Sequence, residues 1–412
     1  MKKKDNDFLK KLLYKLSRWY KCFRFGIANI KKRIPDKFSK QLARFLLILV
    51  ASVTVVFVFL NRDNLSPDQV MTWASDKIVT FGVGPDFPSH IVGNKVSDKN
   101  FKLLDGNVAV VSDTAFVCLN GSAKEIASRQ HGFSNPTLKV NSNKALIYDL
   151  YGTGLAIESK STEIYKTNKK DNILSAAVAC NGIYGTVTQT KGFTGKLELF
   201  HSCKNESFYE YCFSDCYITD MAINKNGKSI STVGVTSKNG GMISNLYIFD
   251  GKSENAKLKL DFPDSMLFSV SYLSNGNVVV LGDNILSVVN TSNGKKHDYL
   301  FENRALTAFD VNEDKGILLS LSLSDDGNSC ELLLFDKKGN LEKNIKTDLK
   351  IKAVSYNYDR ITAVCYGYTY VYKKNGKALG KYDSGKDAKE IILFSPKGAY
   401  VLGFTEIRKI LF

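Results

Sequence analysis

Short apolar segments alternate with polar turns from about residue 87 to the end of the chain. The segments are four to seven residues long and rich in β-branched and aromatic residues. Asn-Gly and Asp-Gly pairs between them supply the positive φ that tight hairpin turns require, so the pattern predicts antiparallel hairpins. No long amphipathic helical pattern interrupts it. Turn pairs of this kind lie at Asp105-Gly106, Asn120-Gly121, Asn226-Gly227, Asn275-Gly276, Asn293-Gly294, Asp326-Gly327, Lys338-Gly339 and Asn375-Gly376.

The hairpins also repeat. Each unit has a strand, a polar turn and a second apolar strand, and most continue with a third apolar strand and a more polar fourth one. Equivalent positions are separated by 39, 44, 49, 39, 45 and 39 residues. A period of about 40 to 50 residues with four strands is typical of a β-propeller blade. The equivalent positions are Leu138, Ala177, Met221, Val270, Phe309, Val354 and Leu393.

An all-β propeller with about eight four-stranded blades is therefore expected over residues 87–412. A further unit begins near Phe101, although the irregular 34-residue step from Leu104 to Leu138 leaves seven blades open. A flat solenoid is the other alternative. The last unit lacks a fourth strand because the chain ends at Phe412. We predict that residues 87–94 supply this strand and close the ring, since closure leaves no apolar end exposed.

The chain before the repeats predicts a membrane anchor at residues 42–61. Its centre, residues 45–60, is sixteen residues long and carries no charge. That length covers ~24 Å as a helix, and the arginines at 44 and 62 can extend toward the headgroups on either side. Fifteen Lys or Arg against three Asp in residues 1–44 place the N-terminus in the cytosol and the propeller outside it. A cleaved signal peptide and a buried core segment are the alternatives, but the long basic region disfavours both.

Residues 1–41 predict a basic amphipathic helix lying on the inner face of an anionic membrane. Apolar residues from Phe8 to Ile27 recur at steps of three and four, and lysines and arginines flank them. A weakly ordered orientation signal and a helix for a cytosolic partner remain alternatives. Cys22 is a candidate for acylation. Residues 62–86 are expected to form a linker with one short helix near Asp68 to Asp76.

The net charge of +16 does not predict nucleic-acid binding once it is located along the chain. Beyond residue 44 there are 42 basic and 38 acidic residues, so the large domain is nearly neutral. A protein groove for phosphates needs its positive charge on the folded domain. We therefore expect no nucleic-acid partner.

This arrangement resembles a bacterial single-span membrane protein family of unknown function with a PQQ-like or WD-like propeller ectodomain. The resemblance runs through Phe-Pro-Ser-His-Ile at 87–91, Phe-Ser-Asn-Pro-Thr-Leu-Lys at 133–139 and the blade turns. These motifs are structural. The resemblance implies an architecture and carries no activity to this chain.

Candidate chemistry is sparse. His201, Cys203, Cys212 and Cys216 are the one cluster, and their spacing does not match paired CxxC metal ligation. A disulfide between Cys203 and Cys212 and free thiols both stay open. Both tryptophans, Trp19 and Trp73, lie outside the propeller, which argues against a quinone cofactor. Acidic turn residues such as Asp325 and Asp326 are explained by turn capping. No catalytic, cofactor-binding or metal residue is predicted, and no cofactor.

Two functions follow. The first is a non-catalytic binding, sensing or scaffold module at the cell envelope, with a protein or polysaccharide ligand, because propellers present loops around a channel. The alternative is an envelope polysaccharide or peptide hydrolase or lyase with its site at the channel mouth. Converging carboxylates of perturbed pKa would favour the enzyme, and exposed aromatic side chains would favour the binder. Tyrosines that could form a recognition surface are Tyr356, Tyr358, Tyr366, Tyr368 and Tyr370.

Overall fold

The computed structural model describes residues 45–49, 51–52, 76, 79–80, 82–238, 240–324 and 326–412, and the chain divides into two compact units, 1–70 and 71–412. In the first unit, residues 45–49 and 51–52 are helical. No helix within the described residues is long and apolar enough to cross a bilayer. The predicted tail at 1–41 and most of the predicted span at 42–61 and linker at 62–86 lie outside the described residues.

The second unit is a β-propeller of eight antiparallel four-stranded sheets, which confirms the predicted fold class and the blade count of eight. Strands of blades 1 to 4 are β2 Val96–Leu104, β3 Asn107–Ser112, β4 Ala115–Leu119, β5 Glu125–Gln130; β6 Pro136–Asn141, β7 Lys144–Asp149, β8 Gly154–Glu158, β9 Glu163–Asn168; β10 Ile173–Val178, β11 Tyr184–Thr190, β12 Phe193–Phe200, β13 Ser207–Phe213; and β14 Tyr217–Ile223, β15 Ile230–Lys238, β16 Gly241–Phe249, β17 Leu258–Pro263.

Blades 5 to 8 follow in the same order. Their strands are β18 Leu267–Tyr272, β19 Val278–Gly282, β20 Ile285–Val289, β21 Lys296–Leu300; β22 Leu306–Asn312, β23 Gly316–Ser322, β24 Cys330–Phe335, β25 Leu341–Thr347; β26 Ala353–Asn357, β27 Arg360–Cys365, β28 Tyr368–Lys373, β29 Ala378–Asp383; and β30 Glu390–Ser395, β31 Gly398–Leu402, β32 Glu406–Leu411, with β1 Ser89–His90 as the fourth strand.

The strand order gives the propeller two distinct faces. In each blade the chain begins at the innermost strand and moves outward through antiparallel neighbours. All innermost strands therefore start at one face, which we call the start face. It also carries the turns between second and third strands and the connections between blades. The opposite face, where the innermost strands end, is the end face.

The ring is closed by the chain before blade 1, as predicted from the missing fourth strand of the last unit. Ser89 pairs with Ile407 in β32, and the Ile91 amide donates to the Thr405 carbonyl at 2.9 Å. The Phe87 ring centroid lies 5.1 Å from that of Tyr400. The first strand of the propeller and its last hairpin thus form one sheet, in which Ile407 of the C-terminal strand is paired on both sides.

Burial falls from the centre of each blade to its rim. The second strands β3, β23 and β31 are buried at every residue, whereas the fourth strand β25 alternates between exposed and half-buried positions. This gradient matches the apolar and polar strands of the repeat. Apolar side chains of neighbouring blades share clusters, which is why no blade could cover its faces alone.

Polar side chains fasten the innermost strand of one blade to that of the next. A side-chain oxygen on one inner strand accepts the backbone amide of its neighbour, as where Asp220 Oδ2 accepts from Val270 at 3.0 Å. These contacts satisfy buried polar groups that neither strand could satisfy within its own sheet. Further contacts of this type within the described residues are Asn100 with Leu138, Ser175 with Met221, Asp310 with Tyr356, Ser355 with Leu393, and Glu390 with Lys99.

The chain reaches the propeller at the end face. The Gly84 amide donates to Ser122 Oγ at 2.9 Å, and the Asp86 amide donates to the Ser122 carbonyl at 3.1 Å. Ser122 lies in the turn between β4 and β5, on the end face. Farther back, the Asp76 carboxylate accepts a hydrogen bond from Ser159 in the corresponding turn of blade 2.

Candidate functional site

A central channel runs between the innermost strands of all eight blades and encloses a cavity of about 1120 Å³. Its wall combines aliphatic and aromatic side chains with charged ones. The charged residues come from separate blades, so the channel is a site that only the closed ring assembles. Lysines and carboxylates that line it include Lys99, Lys102, Lys139, Asp310 and Glu390.

Lys99 stands in a bulge of β2, where the pairing register with β3 shifts between Val96 and Phe101. Its φ is 68°, and its backbone amide donates to the Glu390 carboxylate of blade 8. The side chain crosses the channel, and Nζ lies 4.8 Å from the Phe309 ring centroid and 5.7 Å from that of Phe268. Burial lowers the pKa of Lys99, because water reaches the amine only through a channel walled by protein.

Carboxylates of alternate blades face these lysines. Lys139 Nζ lies 2.6 Å from Asp220 Oδ1. Burial raises the pKa of Asp310, which accepts hydrogen bonds from the Tyr356 amide and from Ser355 Oγ. Burial also raises the pKa of Glu390, against the opposing charges of nearby lysines. The channel wall therefore combines lysines with carboxyl groups, and burial raises the pKa of two of these carboxyl groups.

Contacts between non-adjacent blades narrow the channel at the end face. Ser142 Oγ of blade 2 lies 3.4 Å from Glu313 Oε1 of blade 6, directly across the ring. Lys225 Nζ of blade 4 lies 3.8 Å from the same oxygen. These contacts tie three blades together at one mouth of the channel.

The start face is unusually rich in exposed apolar side chains. Most blades contribute at least one from a turn or a blade connection, whereas the end face has fewer. On the start face they are Val92, Tyr151, Phe193, Tyr217, Met242, Met266, Leu300, Leu323, Tyr366, Tyr368 and Phe404; on the end face they are Val83, Phe208, Leu341, Tyr358, Leu379 and Leu411.

Three exposed tyrosines occupy left-handed backbone positions. Tyr151, Tyr358 and Tyr366 have φ of 63°, 49° and 46°. A bulky L-residue is disfavoured there by about 1–2 kcal/mol, and these turn positions normally hold Gly, Asn or Asp. Tyr151 and Tyr366 lie on the start face with 63% and 60% of their surface exposed. Core packing does not account for a strained aromatic residue that is largely exposed, so Tyr151 and Tyr366 are candidate binding residues.

Residues 89–410 match the model of a family described as a family of unknown function, DUF5711. The chain belongs to DUF5711. This family membership agrees with the unknown-function propeller family that the sequence resembles.

Solved structures similar to this DUF5711 chain share its fold at low identity. The C-terminal WD40 domain of Sif2 is 12% identical with a TM-score of 0.56, covering 81% of this chain and 99% of that one. Sqt1 from Saccharomyces cerevisiae is 11% identical with a TM-score of 0.52, covering 79% and 98%. BamB from Moraxella catarrhalis is 9% identical with a TM-score of 0.50, covering 78% and 100%. These similarities show the propeller fold alone. A comparison with curated proteins finds no match.

The His and Cys cluster of the DUF5711 chain does not converge. The His201 ring stacks on Phe208 with centroids 4.4 Å apart, and Cys203 is exposed. Cys216 is buried, and burial raises the pKa of its thiol to about 12, so it stays protonated. Cys203, Cys212 and Cys216 are all free thiols, and the disulfide between Cys203 and Cys212 is not formed. The described residues contain no group of three or more His, Cys, Asp or Glu placed to hold a metal.

The tyrosines singled out in the sequence separate by environment. Tyr356 is buried with 1% exposure and is a core residue, while Tyr358, Tyr366 and Tyr368 are exposed. Asp326 caps its turn by accepting from the Asn328 amide at 3.0 Å, as expected, and Asp325 lies outside the described residues. Sequence reasoning missed Lys99 and Tyr151. Lys99 and Tyr151 have no sequence signal, whereas Tyr366-Gly367 forms a two-residue turn with both φ positive, as Asp105-Gly106 does, and could have been recognised.

Proposed function

We propose that this DUF5711 protein is a membrane-anchored, extracytoplasmic propeller that binds an envelope partner through its start face and catalyses no reaction. The apolar segment at 42–61 and the basic residues before it support an anchor with a cytosolic N-terminus. Residues 82–86 join the propeller at its end face.

The observation that carries this proposal is the clustering of exposed apolar turn residues on the start face. Soluble surfaces tolerate single exposed apolar residues, but a concentration on one face of a molecule is typical of an interaction surface. Two of these residues, Tyr151 and Tyr366, also hold strained backbone conformations. Turn residues around a rigid ring of blades are well placed to bind, because the scaffold fixes their positions.

Cysteine labelling in intact cells tests orientation and face together. Cys203 is replaced by Ser in the full-length chain, and a new cysteine is placed at Tyr366 on the start face or at Leu341 on the end face. Both positions are exposed. A membrane-impermeant maleimide is expected to label both variants in intact cells. The Tyr366→Cys thiol should react more slowly in its native membrane than after purification, because a partner covers it, whereas the Leu341→Cys thiol should react alike in both settings.

Labelling only after lysis would show that the propeller is not outside the membrane. Equal protection of the two positions, or protection of Leu341→Cys alone, would show that the start face is not the binding surface. The Cys203→Ser chain without a new cysteine gives the background from the remaining thiols.

A hydrolase in the channel is the second candidate, and the raised pKa values of Asp310 and Glu390 favour it. Burial raises the pKa of both carboxyl groups, and a raised pKa is the direction that a general acid requires. Both groups line one cavity. For this function the full-length protein should shorten an envelope polymer, as measured by size-exclusion chromatography, and Asp310→Asn or Glu390→Gln should stop it. A polymer of unchanged size after incubation with the unmodified protein would remove this candidate.

A further inference from the structure

A group of aromatic and basic side chains lies on the start face where blades 7 and 8 meet. We call it the blade 7–8 patch and define it by Tyr366, Tyr368, Lys381, Lys389 and Phe404. The three aromatic side chains expose 60%, 41% and 58% of their surface. Tyr366 is the strained residue of the β27–β28 turn.

The connection between the two blades holds these side chains on one surface. The Ser384 amide donates to the Gly367 carbonyl at 2.8 Å, which fixes the turn that carries Tyr366 against the connection. At the other end of the connection, Asp387 Oδ2 accepts from the Phe404 amide at 2.9 Å. Both aromatic turns therefore flank residues 384–389, and their spacing is set by backbone hydrogen bonds.

The lysines of the patch rest on aromatic rings. Lys381 Nζ lies 3.7 Å from the Tyr368 ring centroid, and Lys389 Nζ lies 4.4 Å from that of Phe404. Neither lysine forms an ion pair with another residue of the described chain, and Lys386 beside them is exposed. A cation on an aromatic face keeps its charge available to a third group.

The nearby carboxylates are already engaged. Asp387 Oδ1 lies 2.7 Å from Arg408 Nη1, and Asp383 Oδ1 accepts the Gly385 amide at 2.8 Å. The Arg408 guanidinium beside Asp387 holds the pKa of that carboxyl below its usual value, so it remains charged and paired. Lys381 and Lys389 are thus cations with no ion-pair partner among the described residues, and they favour an anionic ligand.

We infer that the blade 7–8 patch binds an anionic polysaccharide, with its sugar rings on Tyr366 and on the exposed faces of Tyr368 and Phe404 that the lysines leave uncovered, and its acidic groups on Lys381 and Lys389. This inference rests on the proposed binding function and names the ligand class for one part of the start face. Carboxylate-bearing and phosphate-bearing sugars both combine a ring that can stack on an aromatic side chain with an acidic group that can pair with a lysine. The C–H face of a pyranose stacks on an aromatic ring. The hydroxyl groups of the sugar form hydrogen bonds with the polar groups around that ring.

The layout of the patch favours a polysaccharide over an acidic protein segment. The aromatic side chains stand on two turn tips, Tyr366 and Tyr368 on one and Phe404 on the other, with Gly385 and Lys386 between them, so the apolar surface is interrupted. Protein interfaces bury a continuous, closely packed apolar centre. A chain of sugars instead needs separate flat platforms with polar groups between them, and this is the arrangement found here.

Binding of defined polymers by the full-length protein in detergent tests the inference. The probes are polygalacturonate as a carboxylate polysaccharide, phosphomannan as a phosphate polysaccharide, dextran as a neutral one, and polyglutamate as an anion without sugar rings. We expect retention of one or both anionic polysaccharides, weakening as salt rises, and no retention of dextran or polyglutamate. Which anionic polymer binds identifies the acidic group.

Matched variants localise the site. Tyr366→Ala combined with Tyr368→Ala should weaken binding about tenfold or more, given roughly 0.5–1.5 kcal/mol for each stacked ring. Lys381→Gln combined with Lys389→Gln should weaken binding and reduce its salt dependence. Tyr358→Ala, an exposed left-handed tyrosine on the end face, is the control and should change nothing.

Three results would overturn the inference: no retention of either anionic polysaccharide, equal retention of polyglutamate, or binding unaffected by the tyrosine and lysine variants. Any of these together with continued protection of Tyr366→Cys in membranes would reject the polysaccharide and leave the binding module in place. Loss of that protection as well would reject both.

Discussion

Glu158 is a buried carboxyl group whose pKa is raised by its position in the propeller. It lies at the end of β8, and its carboxylate is 3.0 Å from Arg129 Nη1 of blade 1. Only 2% of its side chain is exposed. Burial raises the pKa of Glu158 to about 7, although the Arg129 guanidinium acts in the opposite direction. We give the burial effect more weight than the ion pair, because desolvation of a buried ion commonly outweighs a single Coulomb contact.

Replacing Glu158 with Gln should remove a pH dependence of stability. A carboxyl group with a raised pKa in the folded state stabilises the protein while it is protonated, and this contribution disappears as pH rises from about 4.5 through 7. Glu158→Gln mimics the protonated form. Between pH 5 and 8 the unmodified protein should lose on the order of 1–3 kcal/mol of unfolding free energy relative to the variant. Urea unfolding at both pH values measures this difference.

The exposed Glu254→Gln is the matched control and should follow the unmodified protein at both pH values. A Glu158→Gln variant that is less stable than the unmodified protein at pH 8 would show that the ion pair with Arg129 outweighs burial.

Positive-φ positions were predictable where the residue type itself prefers them. Gly106, Gly227, Gly276 and Gly376 have φ between 73° and 88°, as the Asn-Gly and Asp-Gly turns require. Lys99 was not predictable, because lysine has no preference for this conformation and Glu390, which accepts its amide, is 291 residues away. Long-range contacts of this kind leave no local pattern.

At the scale of elements, the sequence pattern located the blades well because strand burial depends on local alternation and blade period. It also placed the closing strand, since an incomplete last blade needs a partner from the other end of the chain. The paired residues Ser89–His90 are fewer than the predicted 87–94, because Ile91 makes one hydrogen bond beyond the strand and the chain then turns toward β2.

Weakening the closing strand should open the ring. Phe87→Ala combined with Ile91→Pro removes the aromatic contact with Tyr400 and the amide that donates to Thr405. We expect a loss of about 2–4 kcal/mol in unfolding free energy, from a truncated aromatic and a lost backbone hydrogen bond. Thermal or urea unfolding of the full-length protein measures the loss, and limited proteolysis should cut the C-terminal hairpin sooner.

Val83→Ala serves as the control, because Val83 precedes the closing strand and is 90% exposed. If the double variant unfolds at the same temperature or urea concentration as the unmodified protein, the closing strand does not stabilise the ring.

At the scale of the whole molecule, ring closure creates both candidate sites. The channel gathers charged residues from blades 1, 2, 6 and 8, and the start face gathers turn residues that are far apart in the sequence. Since most exposed tyrosines and apolar turn residues of the described propeller lie on the face opposite the chain entry, the ring gathers most of its candidate binding residues on one side.

Sequence alone predicted the blade period, a ring of eight or seven blades and the closing strand, and it holds the apolar segment and charge distribution on which the untested membrane prediction rests. These properties depend on the local alternation of apolar and polar residues, on the residue types in the turns and on composition, and all three can be read from the sequence. Tertiary structure alone decided which turns share a face, that Lys99 crosses the channel, and which lysines lie on aromatic rings instead of carboxylates. Those properties depend on the distance between residues of different blades, and this distance exists only once the ring has closed.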